Sequence, residues 1–310
     1  MVKQLILNKN STPKRSINNL ILIKSTCIKN TIMKAYFPLP PNIKISNINQ
    51  QINGSITFLN VPNNRLKSIF FNKNYQDKVF LGIYVLKNKK WFLLKVQKCN
   101  PFEFLEITRD ELNVMDEEIV VIVPRKSNSF EYTSNILPEP ESLRVDNSFV
   151  AQRVSLNFSY LNAETSYQGE YPFNLANADK SSLFSFDALK GSKGKYYRNF
   201  LILINISRNN NTKDSIETKF FNPKHKDKFR LIRARKNSIT IVETHQYEKN
   251  LNDKEIIFFT SKISSFIPIF LSIDLKNNQL SVEHTHPPTE YFSGANKNYF
   301  VKLIKNKWLI

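Results

Sequence analysis

The residues whose types and spacing point most directly to chemistry are Glu283-His284-Thr285-His286-Pro287-Pro288-Thr289-Glu290. Residues two apart in a strand face the same way, so His284 and His286 project together and their imidazoles can share one metal. Counting by twos from Leu280 gives Val282, His284 and His286, so the histidines continue an apolar face and stop where the two prolines end the strand. Ile239, Ile241, Glu243 and His245 share a face by the same count. Two strands with such endings predict one end of a barrel closed around a divalent cation. The metal candidates are therefore Glu243, His245, His284, His286 and Glu290. The competing expectation is structural and carries more weight: a His-x-His before Pro-Pro ends a strand, its rings bonded to loop carbonyls.

The spacing His-x-His-x3-Glu over His284, His286 and Glu290 resembles the first motif of the cupins, whose barrels hold Fe, Mn, Zn or Ni. The resemblance spans seven residues. The motif's two glycines would fall at Asn278 and Lys297, and no histidine follows His286 to supply a second motif. The resemblance implies a metal-dependent enzyme, and it stops at this motif.

A second group is Ser166-Tyr167-Gln168-Gly169-Glu170-Tyr171-Pro172-Phe173. Aromatic faces stack on sugar rings, and Gln168 and Glu170 can orient hydroxyls, so Tyr167, Gln168, Glu170 and Tyr171 are the ligand-binding candidates, with a glycan or other polar ligand as partner. The commoner fate of such a run is to fold its rings into the core. Ser185-Phe186-Asp187 lacks the glycines of a nucleophile elbow. Gly191-Ser192-Lys193-Gly194 lacks the strand–loop–helix setting of a phosphate loop. Cys99 has no CxxC partner and reads as a small packed residue.

The elements that must position these groups are strands. Val79–Leu86 and Trp91–Val96 flank a short polar turn and predict a hairpin. Thr108-Arg109-Asp110-Glu111 has the spacing of a capping box, which predicts a helical turn. Ile119–Val123 is a continuous apolar run and reads as a central strand. Val154, Leu156, Phe158 and Tyr160 alternate with polar residues, the pattern of a half-buried strand. Phe200–Ile206 is a second central run. Phe229–Arg235 and Ser238–Thr244 flank Lys236-Asn237 and predict a two-residue hairpin. Ile267, Ile269, Leu271, Ile273 and Leu275 share a face, and the chain turns at Asn277-Asn278. Tyr299, Phe300, Leu303, Ile304 and Trp308 fall at helical spacing, predicting an amphipathic helix over 296–308. The fold expected is all-β, a mainly antiparallel sandwich or barrel with a few short helices and that C-terminal helix.

Composition bounds the remaining classes. The chain has 310 residues, 45 basic and 26 acidic, a net charge of +19. No apolar run approaches the roughly 18 residues of a membrane span. Two cysteines, Cys27 and Cys99, cannot build a disulfide framework, so a reducing, cytoplasmic setting is expected. Eleven basic residues precede the first acidic residue, Asp77. Residues 1–32 lack a periodic apolar face and match neither a secretory signal nor a transit peptide. They read as a disordered tail or an over-extended start ahead of Met33. The prolines of 136–147 predict a linker between a β domain over 33–135 and a β-sandwich domain over 148–310. Three functions stand in order: a soluble β-sandwich binding protein with a glycan as the first candidate ligand, then a metal-dependent enzyme, then a nucleic-acid-binding protein. Nucleic acid ranks last because the lysines are scattered and no helix-turn-helix, zinc-finger or RRM signature is present.

Overall fold

The computed structural model describes residues 34–46, 48–60, 78–101, 103–141, 153–177, 182–187, 196–208, 215–221, 229–244, 256–261 and 266–284. The expected tail at 1–32 and the expected helix at 296–308 lie outside these residues. The strands run β1 (Ala35–Pro38), β2 (Ile43–Lys44), β3 (Gln51–Leu59), β4 (Val79–Lys87), β5 (Lys90–Cys99) and β6 (Phe104–Thr108). After the one-turn helix α1 (Arg109–Leu112) come β7 (Val120–Arg125), β8 (Thr133–Ser134), β9 (Arg153–Tyr160), β10 (Ala163–Gln168) and β11 (Tyr171–Pro172). Following α2 (Phe173–Asn177) are β12 (Ser182–Asp187), β13 (Tyr197–Asn205), β14 (Ser215–Phe221), β15 (Phe229–Arg235), β16 (Ser238–Glu243), β17 (Ile256–Ser261), β18 (Ile267–Asp274) and β19 (Gln279–His284). The chain is all-β, as its alternation and turn chemistry predict.

Among the described residues four sheets form, with strand orders β11-β1-β7-β4-β5-β8, β10-β9-β3-β2 with β6 also on β3, β12-β17-β14-β15, and β16-β13-β18-β19. The β4–β5 hairpin turns at Asn88 and Lys89, both at positive φ, the geometry of a tight hairpin turn. The apolar run around Ile122 is central: β7 lies between β1 and β4, and Val120, Val121, Ile122 and Val123 are buried. One contiguous core joins Phe58, Leu156 and Phe158 of the second sheet, Ile83 and Ile122 of the first, and Ile202, Ile269 and Leu271 of the fourth.

Two expectations need correction. The prolines of 136–147 do not separate two domains, because strands beyond them complete sheets begun before them. Here β9 pairs with β3 from Asn53↔Ser159 to Leu59↔Arg153, and β11 pairs with β1. Prolines bar a segment from strand interiors, but they leave its carbonyls and apolar side chains able to dock. Leu137 is buried, its N–H donates to Arg208 O (3.2 Å), and Tyr36 Oη donates to Pro138 O (3.0 Å).

The second concerns Lys236-Asn237. It joins β15 and β16, but these strands pair with β14 and β13 and belong to different sheets. The β14–β15 pairing lies in the third sheet and the β13–β16 pairing in the fourth, and β17 and β18 likewise pair with β14 and β13 in those two sheets. Strands that switch sheets at a bend are how such corners are made. Asn237 holds this one: its φ is 50°, its N–H donates to Asn205 Oδ1 (2.9 Å), and its Oδ1 accepts from Ser207 N (2.5 Å). Two turn residues therefore read as a hairpin in sequence and act as a corner in space.

The helical turn directly after β6 anchors that strand. Thr108 caps α1, its Oγ1 accepting from Glu111 N at 3.1 Å, as the capping-box spacing predicts. Arg109 is buried, and its guanidinium donates to four backbone carbonyls: Pro40 O (2.8 Å), Met115 O (2.6 Å), Glu118 O (3.1 Å) and Leu39 O (3.4 Å). Burial pushes the guanidinium down to about 10, against the pull of Asp116, Glu118 and Glu117, so it stays charged at neutral pH. Gly54 of β3 meets the same segment: a Cβ there would lie 2.8 Å from Pro40 O and 2.6 Å from Pro41 O.

Candidate functional site

The second sheet turns Ile52, Ile56, Phe58, Val154, Leu156 and Phe158 inward, so by strand alternation the intervening residues form its outer face. Cross-strand register sets these residues in rows. Ser166 (β10) lies opposite Asn157 (β9), which lies opposite Ser55 (β3), which lies opposite Thr108 (β6). The next row is Gln168, Ser155, Thr57 and Glu106, and Leu59 faces Phe104 in the row beyond. Four strands at about 4.8 Å spacing make the face roughly 14 Å wide.

The middle of this face is hydrogen-bonded. Asn157 Nδ2 donates to Thr57 Oγ1 (2.8 Å) and Ser55 Oγ (3.3 Å), and Ser55 Oγ donates to Glu106 Oε1 (2.7 Å). Both amide protons of Asn157 are thus committed. The Oδ1 of Asn157, the hydroxyl proton of Thr57 and Oε2 of Glu106 take no part in these bonds among the described residues. Phe104 stands two residues from Glu106 on the same face of β6, 68% exposed. An exposed ring beside fixed donors and acceptors can stack on an apolar ligand face while the polar groups hold its hydroxyls.

Of the ligand candidates read from sequence, Gln168 is the one whose register lies in these rows. Tyr171 is fully buried on β11, opposite Tyr36. Tyr167 is packed against the core, and burial raises its phenol well above the ordinary range. Gly169 is buried beside them; a Cβ there would meet Leu156 Cδ1 at 2.5 Å. Glu170 is half-buried. Tyr171 thus serves the core, and Tyr167 packs against it while partly exposed.

For the metal candidates, His245, His286 and Glu290 lie outside the described residues. Glu243 and His284 are on β16 and β19, the two edge strands of the fourth sheet, with β13 and β18 between them. Glu243 is in register with Phe200, Leu271 and Val282; His284 is in register with Ile269, Ile202 and Ile241. Three strand spacings of about 4.8 Å separate β16 from β19, so Glu243 and His284 stand at opposite edges of the described sheet. The carboxylate of Glu243 instead sits 3.3 Å from Arg198 Nε and accepts from Ser46 Oγ at 2.6 Å. Among the described residues no group of three or more His, Cys, Asp or Glu side chains is arranged to hold a metal.

Cys99 is buried, and burial together with Glu103 pushes its thiol up to about 11, which fits the small packed residue expected from sequence. No helix among the described residues is long and apolar enough to cross a membrane. No protein-family model, curated protein or solved structure matches the chain.

Proposed function

We propose that this is a binding protein that presents the outer face of β6, β3 and β9 to a hydroxyl-rich ligand, a glycan. The observation that carries the reading is the exposed Phe104 ring beside the Glu106–Ser55–Asn157–Thr57 network. A sugar presents an apolar ring face and a rim of hydroxyls, and recognition needs a stacking surface together with fixed polar partners. The network fixes those partners before the ligand arrives, which lowers the ordering cost of binding. The face lies on paired strands whose other side is core, so it is held more rigidly than a loop.

Screening the full chain against immobilised oligosaccharides, then titrating the best binder by calorimetry, tests the reading. Phe104→Ala and Asn157→Ala should each weaken binding about tenfold, equivalent to about 1.4 kcal/mol. An oligosaccharide that binds equally well to both variants, or a screen in which none binds, contradicts it.

A further inference from the structure

A local run of basic residues lies at a place that the glycan reading does not use. Between Lys219 and Lys236 stand eight basic residues and one acidic residue, Asp227. This stretch contains the second half of β14 and all of β15. Strand β15 is the outermost strand of its sheet. Its Ile232 and Ala234 are buried, while Leu231, Arg233 and Arg235 are exposed on the other face. Lys219 of β14 lies directly opposite Leu231. Residues two apart on a strand are about 6.7 Å apart, so the two arginines and Lys219 form a short cationic row around one exposed aliphatic side chain. Glu217, opposite Arg233, is the acidic residue that register adds to this row.

We propose that the outer face of the β14–β15 hairpin binds single-stranded nucleic acid through its phosphates, without reading sequence. A linear polyanion suits a row of cations spaced along a strand, and Arg engages phosphate through a planar fork of donors. Among the described residues no strand pairs with the outer side of β15, so an extended backbone can lie along it. The aliphatic Leu231 offers a base face a contact but no pattern of hydrogen bonds by which to choose among bases. Charge of this kind fixes affinity and its salt dependence and leaves sequence unread.

The test is fluorescence anisotropy of a labelled oligothymidine titrated with the full chain over a series of salt concentrations. The wild type should bind with log K falling linearly in log salt. Arg233→Ala/Arg235→Ala removes two exposed side chains, so the fold should persist, which an unchanged melting curve confirms. The slope should become shallower by about 1.4, with affinity at about 0.1 M salt falling roughly 25-fold, on about 0.7 per phosphate contact for single strands. Lys90→Glu/Lys98→Glu, exposed lysines on β5, change the net charge by more but should leave the slope within error. Three results would overturn the proposal: no binding at low salt, the same loss in the β5 variant, or binding of heparin or anionic vesicles as tight as that of the oligonucleotide. The second would mean that net charge alone acts, and the third that the face takes any polyanion.

Discussion

Replacing Arg109 by Met should unfold the chain at markedly lower denaturant. The guanidinium is buried and tied to Pro40 O, Met115 O and Glu118 O at 3.1 Å or less, with Leu39 O at 3.4 Å. It therefore pins the segment before β2, the turn after α1 and the approach to β7 to one point. Each hydrogen bond from a charged donor contributes about 1.5–3 kcal/mol net, so the three short ones could approach about 6 kcal/mol. Desolvating the charge costs several kcal/mol and offsets part of that. Met fills much of the volume but takes the guanidinium from all four carbonyls; Met115 O keeps Glu118 N–H (3.2 Å), and the other three lose this donor at about 1–3 kcal/mol each. The expected loss is about 4 kcal/mol, a fall of roughly 10 °C in melting temperature for a chain of this size. Urea unfolding monitored by the fluorescence of Trp91, which is buried on β5, gives the number. Arg109→Lys should recover less than half, since one ammonium cannot reproduce the fork. A loss below about 1 kcal/mol for Met, or a Lys variant equal to wild type, would refute the claim that these bonds hold the region together.

The same structure sets three further outcomes. Gly54→Ala should cost about 3 kcal/mol, at the upper end of ordinary overpacking, because its Cβ would meet backbone carbonyls and no flexible side chain; thermal unfolding reads it. Burial pushes the Asp274 carboxyl up, but Asn277 Nδ2 (2.7 Å), Lys276 N (2.9 Å) and Asn277 N (3.3 Å) donate to it and hold it below its usual range. Its contribution is then present above the unfolded carboxyl's value and lost as pH falls through the lower folded value. Asp274→Ala should melt lower than wild type at neutral pH and converge on it in acid, at a pH below about 4. In a Cys27→Ser background, Cys99 should resist a disulfide-exchange reagent at neutral pH and react once urea unfolds the chain; fast native labelling would contradict its raised thiol.

The strands were legible because local physics sets them. The turn at Asn88-Lys89, the cap at Thr108 and the alternation from Val154 to Tyr160 each depend on a few neighbouring residues. Partnering was not legible, because register is decided by groups distant in sequence. Lys236-Asn237 has the composition of a hairpin turn and becomes a corner because Asn205 and Ser207 bond Asn237 across it. The prolines near Leu137 have the composition of a boundary because proline excludes strand interiors, a rule that says nothing about where the segment docks. The proposed face escaped the sequence for the same reason. Asn157 lies 100 residues from Thr57, and Glu106 lies 51 from Ser55. The alternation in β9 marks Asn157 as outward, but only the pairing puts Phe104 of β6, two rows away, on the same face. The run around Tyr167 is locally dense in aromatic groups, and density alone does not say which way rings point.

The central claim, that the outer face of β3, β6 and β9 takes a hydroxyl-rich ligand, is tested most directly by mapping backbone amide shifts on adding the tightest-binding oligosaccharide. The account predicts that the largest changes gather at Ser55, Thr57, Phe104, Glu106 and Asn157, with the buried rows around Ile56 and Leu156 moving little. Shifts centred on the β14–β15 hairpin or on the edge at Glu243, or no shifts at saturating sugar, would contradict it.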